Sequence, residues 1–162
     1  MAAVDYFLKL DGVDGESTDS KHKGEIDLES WSFGCTQMGT HGGGGGGGAG
    51  KASFQDLHFV MKYSKASPKL MLACACGIHI KKAVLIGRKA GTEQQEYLKV
   101  TLTDVLVSSY QCGGSEHGGP VPMDQISLNY AKFECEYKEQ KADGSLGGAV
   151  KAGYDVKANV KI

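Results

Sequence analysis

Long segments of this chain alternate apolar and polar residues one by one, which is the pattern of half-buried β-strands. The C-terminal segment is the clearest: from Val150 to Ile162 every second residue is apolar, and Lys151, Lys157 and Lys161 fall between them. This alternation predicts a mostly β protein with about seven strands. It also predicts one continuous C-terminal strand with an apolar and a lysine-bearing face.

In three segments the alternation slips by one residue. The slips lie between Leu28 and Trp31, between Leu102 and Val105, and after Tyr130. A one-residue slip inside a strand is the signature of a β-bulge, and bulges in long strands bend a sheet strongly. The sequence therefore predicts a small β-barrel built from curved sheet.

One segment, from Ser67 to Gly77, favours a short helix flanking the sheet. Ser67 is suited to cap the first amides, Pro68 fits the first helical turn, and Gly77 can end the helix in a left-handed conformation.

Glycine makes up 24 of the 162 residues, and an unbroken run extends from Gly42 to Gly48. Pure glycine imposes no conformation, so the loop at about 39–50 is either a disordered linker or a flexible arm that orders against a partner. A phosphate-binding loop is excluded, because Gly50-Lys51 is followed by Ala52 and the run precedes a strand rather than a helix.

The best candidate for metal chemistry is the trio Cys74, Cys76 and His79. A structural zinc site needs a fourth ligand, and one intervening residue on a helix turns the two thiols to nearly opposite faces. We expect no metal, no cofactor and no catalytic thiol, since no nucleophile motif surrounds these residues. The cysteine count of five is odd and favours reduced thiols over a disulfide framework.

Charge and hydropathy exclude several classes of function. The net charge is -1, and no basic block is longer than Lys81-Lys82, which argues against nucleic-acid binding. No stretch approaches the roughly 20 apolar residues that a membrane-spanning helix requires. Asp5 and Lys9 interrupt the N-terminal apolar residues, so we expect no signal peptide and a cytoplasmic start. The length fits one domain, residues 1–162.

The order and spacing of several motifs resemble the Hcp family of type VI secretion tube subunits. The motifs are Asp5-Tyr-Phe-Leu-Lys-Leu, Gly12-Val-Asp-Gly-Glu-Ser, Ser30-Trp-Ser-Phe-Gly, Ser67-Pro-Lys-Leu, Ala73-Cys-Ala-Cys-Gly, Tyr97-Leu-Lys-Val-Thr-Leu, Val105-Leu-Val-Ser-Ser, Gln140-Lys-Ala-Asp-Gly and Gly153-Tyr-Asp. Together they cover nearly the whole chain. The resemblance implies a small β-barrel with one flanking helix and no enzymatic activity.

The resemblance also implies partners. Copies of such proteins form homo-hexameric rings that stack into a hollow tube, a contractile sheath on a baseplate drives the tube outward, and a VgrG-like spike leads it. The lumen can hold effector proteins, and export needs no signal peptide. The alternative is a secreted β-barrel binding module without tube assembly, using Trp31, Tyr110 and the loop at His117.

Alternation assigns two candidate surfaces within this scheme. The alternation predicts that Trp31, Phe33 and Cys35 share the apolar face. Trp31 and Phe33 are then expected to fill the core rather than to stack a ligand. Ser30 and Ser32 lie on the opposite face. Glu29 joins that face only if the phase slip lies between Glu29 and Trp31. We expect these three residues to contact effectors in the lumen; the alternative is that Ser32 lies on a solvent-exposed outer wall. We expect the loop to contact an adjacent subunit through Met38, Gly39, His41, Gly42, Gly45, Gly48 and Gly50.

Overall fold

The computed structural model describes residues 4–39, 49–89 and 93–162. Their elements in chain order are β1 Val4–Leu10, β2 Ile26–Asp27, β3 Ser30–Ser32, β4 Cys35–Gly39, β5 Ala49–Phe54, β6 Leu57–Lys62, α1 Ala66–Cys76, β7 His79–Lys89, β8 Glu96–Gly113, β9 Met123–Gln140, β10 Leu146–Asp155 and β11 Val160–Lys161. The prediction of a mostly β chain with one short helix is confirmed. The predicted number of strands was too low, because β2, β3 and β11 are only two or three residues long and leave no alternation to count.

Nine strands belong to one antiparallel sheet, in the order β11-β10-β9-β8-β7-β1-β2, with β6 pairing with β9 and β3 pairing with β6. Strands β4 and β5 form a separate two-stranded sheet. The large sheet curves back on itself at the step from β2 to β3. There the Leu28 N–H bonds the Tyr6 carbonyl on β1, and the Glu29 N–H bonds the Val60 carbonyl on β6. The sheet is barrel-like, although this path of ladders does not form a closed ring.

The interior of the curved sheet is the hydrophobic core. Leu8, Leu57, Phe59, Leu85, Leu102, Ile126 and Leu128 are among its fully buried side chains. Helix α1 packs Leu70 and Ala73 against this core, while Trp31 and Phe33 pack on it half-buried, as their spacing predicted. No helix in the described part of the chain is long and apolar enough to cross a membrane.

The phase slip in β8 has a different origin from the predicted one. Buried residues change parity on the two sides of Asp104, whose φ is 54°. The pairing with β9 keeps one register across Asp104, so a residue in the left-handed region turns the faces over without an inserted residue. The true register shift lies further along, between Val107 and Ser109, where Ser108 is the extra residue of a bulge.

The helix begins differently from the prediction. It starts at Ala66 with Lys65 as N-cap and no side-chain cap. Ser67 lies inside the first turn, where its hydroxyl donates to the buried Asp124 carboxylate and accepts the Ser64 N–H, which precedes the helix, at 3.0 Å. The predicted end is confirmed: Gly77 has a φ of 63°, and its N–H bonds the Ala73 carbonyl.

The prediction of one continuous C-terminal strand was wrong. Strand β10 ends at Asp155, whose carboxylate accepts the Ala158 N–H at 2.8 Å, and Asn159 adopts a φ of 59°. These two features reverse the chain, because Asx turns and left-handed Asn residues are built for tight turns. Strand β11 then pairs back on β10 with Val160 opposite Asp155. Val160 therefore does not share a face with Val150.

Candidate binding surface

Strands β3, β6, β9 and the end of β8 lie side by side and form a four-stranded patch with two contrasting faces. One face belongs to the core. Directly paired residues Trp31, Phe59, Ile126 and Tyr110 form a row across it. This row is buried or half-buried, so the patch is held rigidly from behind.

The middle of the other face of the patch carries serine, glutamine, histidine and valine side chains. Its two cross-strand rows are Ser32, His58, Ser127 and Ser109, and then Ser30, Val60, Gln125 and Gln111. We call these eight residues the polar wall. Partners in direct cross-strand register have side chains on the same side of a sheet, so the eight form one continuous surface.

No carboxylate or ammonium group belongs to the polar wall, and His58 is the one member with an ionisable side chain. Its Nδ1 lies 3.1 Å from the Ser127 hydroxyl. Ser30, Ser32, Ser109, Gln111 and Gln125 are exposed, whereas His58 and Ser127 are half-buried. The wall offers hydroxyl, amide and imidazole groups for hydrogen bonding, without a large apolar patch.

Both ends of the wall carry charged groups that are bonded to neighbouring side chains. At one end the Asp56 carboxylate accepts hydrogen bonds from the Ser108 hydroxyl at 2.6 Å and the Asn129 amide at 2.9 Å. At the other end Glu29 lies 3.7 Å from the Lys62 ammonium. Ser108 reaches Asp56 because the bulge places it outside the regular ladder. The charged groups therefore lie at the two ends of the wall and not among its eight residues.

A groove of about 490 Å³ adjoins the Glu29 end. Glu16, Asp27, Glu29, Lys62 and Tyr63 are among the residues that line it. Burial raises the pKa of the Asp27 carboxyl above its usual value, and the neighbouring charges of Asp5, Asp19 and Glu29 raise that pKa further. The groove is thus an acidic feature in which Lys62 balances only part of the negative charge.

The structure places Ser30, Ser32 and Glu29 together at one edge of the wall, all exposed and facing away from the core. Glu29 and Ser30 are adjacent yet both exposed, so the phase slip lies between Glu29 and Trp31. The chain passes there from pairing with β1 to pairing with β6. His58, Ser109, Gln111, Gln125 and Ser127 were not among the predicted residues. Alternation in β6 and β9 marked the face of three of them, but only the register shows that they adjoin Ser32.

The glycine-rich loop falls largely outside the described residues. His41, Gly42, Gly45 and Gly48 belong to that part, whereas Met38 and Gly39 lie in β4 and Gly50 lies in β5. The Met38 side chain is 80% exposed. Strand β4 is exposed throughout, so the prediction that Cys35 shares the apolar face of Trp31 was wrong. Cys35 has left the large sheet and pairs with Phe54 in the hairpin.

The base of this hairpin is fixed to the main sheet by aromatic contacts. The Phe54 ring lies 5.4 Å from the Phe133 ring and 4.9 Å from the Tyr154 ring, measured between centroids. Such contacts stabilise a pair of rings beyond their burial. The hairpin is therefore fixed at its base, while strand β4 is exposed along its whole length.

The trio Cys74, Cys76 and His79 has three different environments. Cys74 packs against the core, Cys76 is exposed, and the His79 Nδ1 bonds the Asp104 carboxylate at 2.8 Å. Among the described residues no three His, Cys, Asp or Glu side chains are arranged to hold a metal ion. All five cysteines lie in the described ranges as free thiols. Burial raises the pKa of the Cys135 thiol, which disfavours the reactive thiolate.

The residues of the alternative binding module do not form a shared platform. Trp31 packs edge-on against Tyr6, with ring centroids 5.8 Å apart. Tyr110 packs against the core as well, and burial raises the pKa of its hydroxyl. Only His117, in the loop after β8, is exposed.

Comparison with known proteins gives a consistent assignment. Residues 7–137 match the family model described as "Type VI secretion system effector, Hcp". Protein hcp1 of Pseudomonas aeruginosa is 48% identical, with 98% of this chain and 99% of that protein aligned. The crystal structure of Hcp1 from Salmonella typhimurium superposes with a TM-score of 0.84 at 41% identity, covering 99% of this chain and all of the other. A structure described as a type six secretion system protein gives a TM-score of 0.94 at 33% identity with the same coverage.

These matches and the curved antiparallel sheet with its single described helix define a secreted, β-rich component of type VI secretion. The chain belongs to the Hcp family.

Proposed function

We propose that this protein is the subunit of the type VI secretion inner tube. Six copies close into a ring, rings stack into a hollow tube, and a contractile sheath on its baseplate expels the tube behind a VgrG-like spike. The whole chain acts as one structural domain without enzymatic activity. It resides in the cytoplasm before firing and then leaves the cell without a signal peptide.

The polar wall is the observation that carries this proposal. A lumen that accepts varied effector proteins should avoid large apolar patches, which promote aggregation, and dense charge, which selects one kind of cargo. The eight wall residues satisfy both demands, with serine and glutamine as the commonest types. We therefore assign Ser30 and Ser32 to the lumen, with Glu29 at the rim of the wall.

Unpaired strand edges support assembly from identical copies. Strand β3 pairs only with β6, and residues 146–152 of β10 pair only with β9 in the described part of the chain. An exposed edge can accept a strand from a neighbour, and a closed ring uses one such heterologous contact repeatedly. Strand β4 is exposed throughout, which supports the proposal that the loop at 39–50 contacts an adjacent subunit or ring.

Replacement of Ser32 tests the lumen assignment. We would make Ser32→Gln and Ser32→Glu, confirm ring formation by electron microscopy, and measure the export of effectors co-expressed from the same secretion system. Both variants should keep the ring, since Ser32 is exposed and opposite His58. Both should reduce effector retention and export, because each narrows the lumen and the second adds repeated negative charge.

Ala142 supplies the matched control. It is an exposed residue in the turn between β9 and β10, distant in sequence from every wall residue. Ala142→Gln and Ala142→Glu add similar bulk and the same charge and should leave export unchanged. Intact rings with normal effector binding in both Ser32 variants would remove Ser32 from the lumen.

A further inference from the structure

His58 occupies the interior of the polar wall. It lies directly opposite Ser32 on one side and Ser127 on the other, with Ser109 beyond Ser127 in the same row. The side chain is half-buried, and its neighbours in this row are all serines. His58 is thus the one ionisable side chain in this row.

The hydrogen bond to Ser127 orients the imidazole. Since Nδ1 engages the Ser127 hydroxyl at 3.1 Å, Nε2 is the ring nitrogen left to contact a ligand. A serine hydroxyl both donates and accepts, so this contact tolerates either neutral tautomer and also the protonated ring. In the protonated form both nitrogens donate, and Nε2 then suits a carboxylate acceptor.

The charged groups closest to His58 along the chain lie on or next to its own strand, and none lies in its cross-strand row. From β3 and β9 it faces Ser32 and Ser127, which are neutral. Along β6 the charged groups are Asp56, which accepts bonds from two neutral donors, and Lys62, which pairs with Glu29. The Asp56 and Glu29 carboxylates bond these other partners, whereas the His58 ring bonds Ser127. Asp56 keeps its negative charge because both of its donors are neutral, so a proton gained by His58 adds the one positive charge among the eight wall residues.

From this arrangement we infer that His58 is a cargo-contacting residue that makes the wall prefer acidic polypeptide surfaces when its imidazole is protonated. The inference rests on the proposed function, since a ring would bring six copies of His58 into one lumen. Charges that repeat around a narrow, water-filled channel reinforce one another within a Debye length of roughly 10 Å. Carboxylate side chains of the cargo are then the ligand, and neutral or basic segments are disfavoured.

The test uses short fluorescein-labelled peptides of glycine and serine that carry glutamate, and matched peptides with glutamine or lysine in place of glutamate. Binding to assembled rings is measured by fluorescence anisotropy at about pH 5.5 and about pH 8 at constant ionic strength. The glutamate peptide should bind roughly five- to tenfold more tightly at the lower pH, the gain expected for a charge-assisted hydrogen bond. The glutamine peptide should show little change, and the lysine peptide should bind less tightly.

Two histidine variants assign the effect. His58→Gln keeps hydrogen-bonding capacity but cannot titrate, and it should lose the pH-dependent gain. His117→Gln removes a histidine from the exposed loop after β8 and should keep it. Equal pH dependence in wild type and His58→Gln, or no gain in wild type, would overturn the inference. If His58→Gln fails to form rings, the three peptides on wild type still decide, because a gain independent of peptide charge excludes electrostatic selection.

Light scattering on the same wild-type samples separates this inference from the proposed function. Rings without a charge-dependent gain reject the role of His58 and leave the tube subunit intact. A wild-type monomer at both pH values rejects the tube subunit itself, and the role of His58 with it.

Discussion

The Arg88 guanidinium donates two hydrogen bonds to the Asp19 carboxylate, at 2.7 and 3.0 Å, and joins the segment between β1 and β2 to strand β7. Arg88 also bonds Asp5 at 3.2 Å and lies over the Phe7 ring, 4.9 Å from its centroid. The side chain is only 3% exposed. A buried cation of this kind depends on its partners, since an unpaired buried charge is costly.

Asp19→Asn should therefore destabilise the fold by about 2 kcal/mol, the range for hydrogen bonds to charged groups. The hydrogen bonds from Arg88 hold the pKa of the Asp19 carboxyl well below its usual range. A lowered folded-state pKa stabilises the protein above the unfolded-state value and loses that contribution as the pH falls through the folded-state value. The gap between wild type and variant in chemical denaturation should be constant near neutral pH and shrink below about pH 4.

The control for this substitution is Asp14→Asn, which removes the same charge from an exposed position in the same segment. It should change stability by no more than about 0.5 kcal/mol. Equal losses for the two variants would show that net charge, and not the Arg88 contact, sets the effect.

Gly15 is required by a close approach of backbone. A Cβ at this position would lie 2.4 Å from the Glu25 carbonyl oxygen and 2.8 Å from the Ile26 Cα. Gly15→Ala should cost about 1–3 kcal/mol, the range for overpacking, because main-chain atoms have to move. Gly148→Ala is the control, since a Cβ there meets nothing within 4 Å. Thermal unfolding of the two variants should separate them clearly, and similar melting temperatures would contradict the packing explanation.

Ser67 supplies the one hydrogen bond that the described protein atoms make to the buried Asp124 carboxylate. Ser67→Ala should cost about 2 kcal/mol or more, because a fully buried acid then loses its donor. Ser64→Ala, on the same turn, removes a weaker contact to the Ala66 N–H at 3.2 Å and should cost less. Urea denaturation gives both values, and the reverse order would contradict this role of Ser67.

The glycine run gives a prediction about assembly. Deleting several residues from Gly42–Gly48 should weaken rings or tubes more than it weakens the monomer fold. Ordering a glycine run costs more conformational entropy than ordering other residues. Contacts with a partner surface would offset that cost. Ring content by electron microscopy and unfolding of the dissociated chain provide the two readouts. Equal damage to both would contradict an intersubunit role.

Local patterns predicted the parts of the fold that depend on neighbours in sequence. Gly77 ends the helix as expected, and the parity changes around Asp104 and before Trp31 were visible as broken alternation. The alternation of apolar residues alone could not show whether an inserted residue or a residue in the left-handed region caused the break. The cause therefore became clear only with the φ of Asp104 and the register of β8 against β9.

The parts that depend on long-range pairing were not predictable. The C-terminal alternation continued across Asn159, so nothing in the pattern signalled that the chain turns back there. Alternation placed Ser32 on the face that points away from the apolar core. His58 and Ser127 lie beside Ser32 only because β-ladders pair segments that are far apart in sequence. Register sets such neighbours, and a single sequence does not contain it.

Size-exclusion chromatography with multi-angle light scattering tests the central claim most directly, because a ring has a defined mass. If the chain forms a hexameric ring, the measured species has six times the 17.1 kDa chain mass and persists on dilution at moderate salt. A single species of 17.1 kDa over a wide range of protein concentration would contradict it.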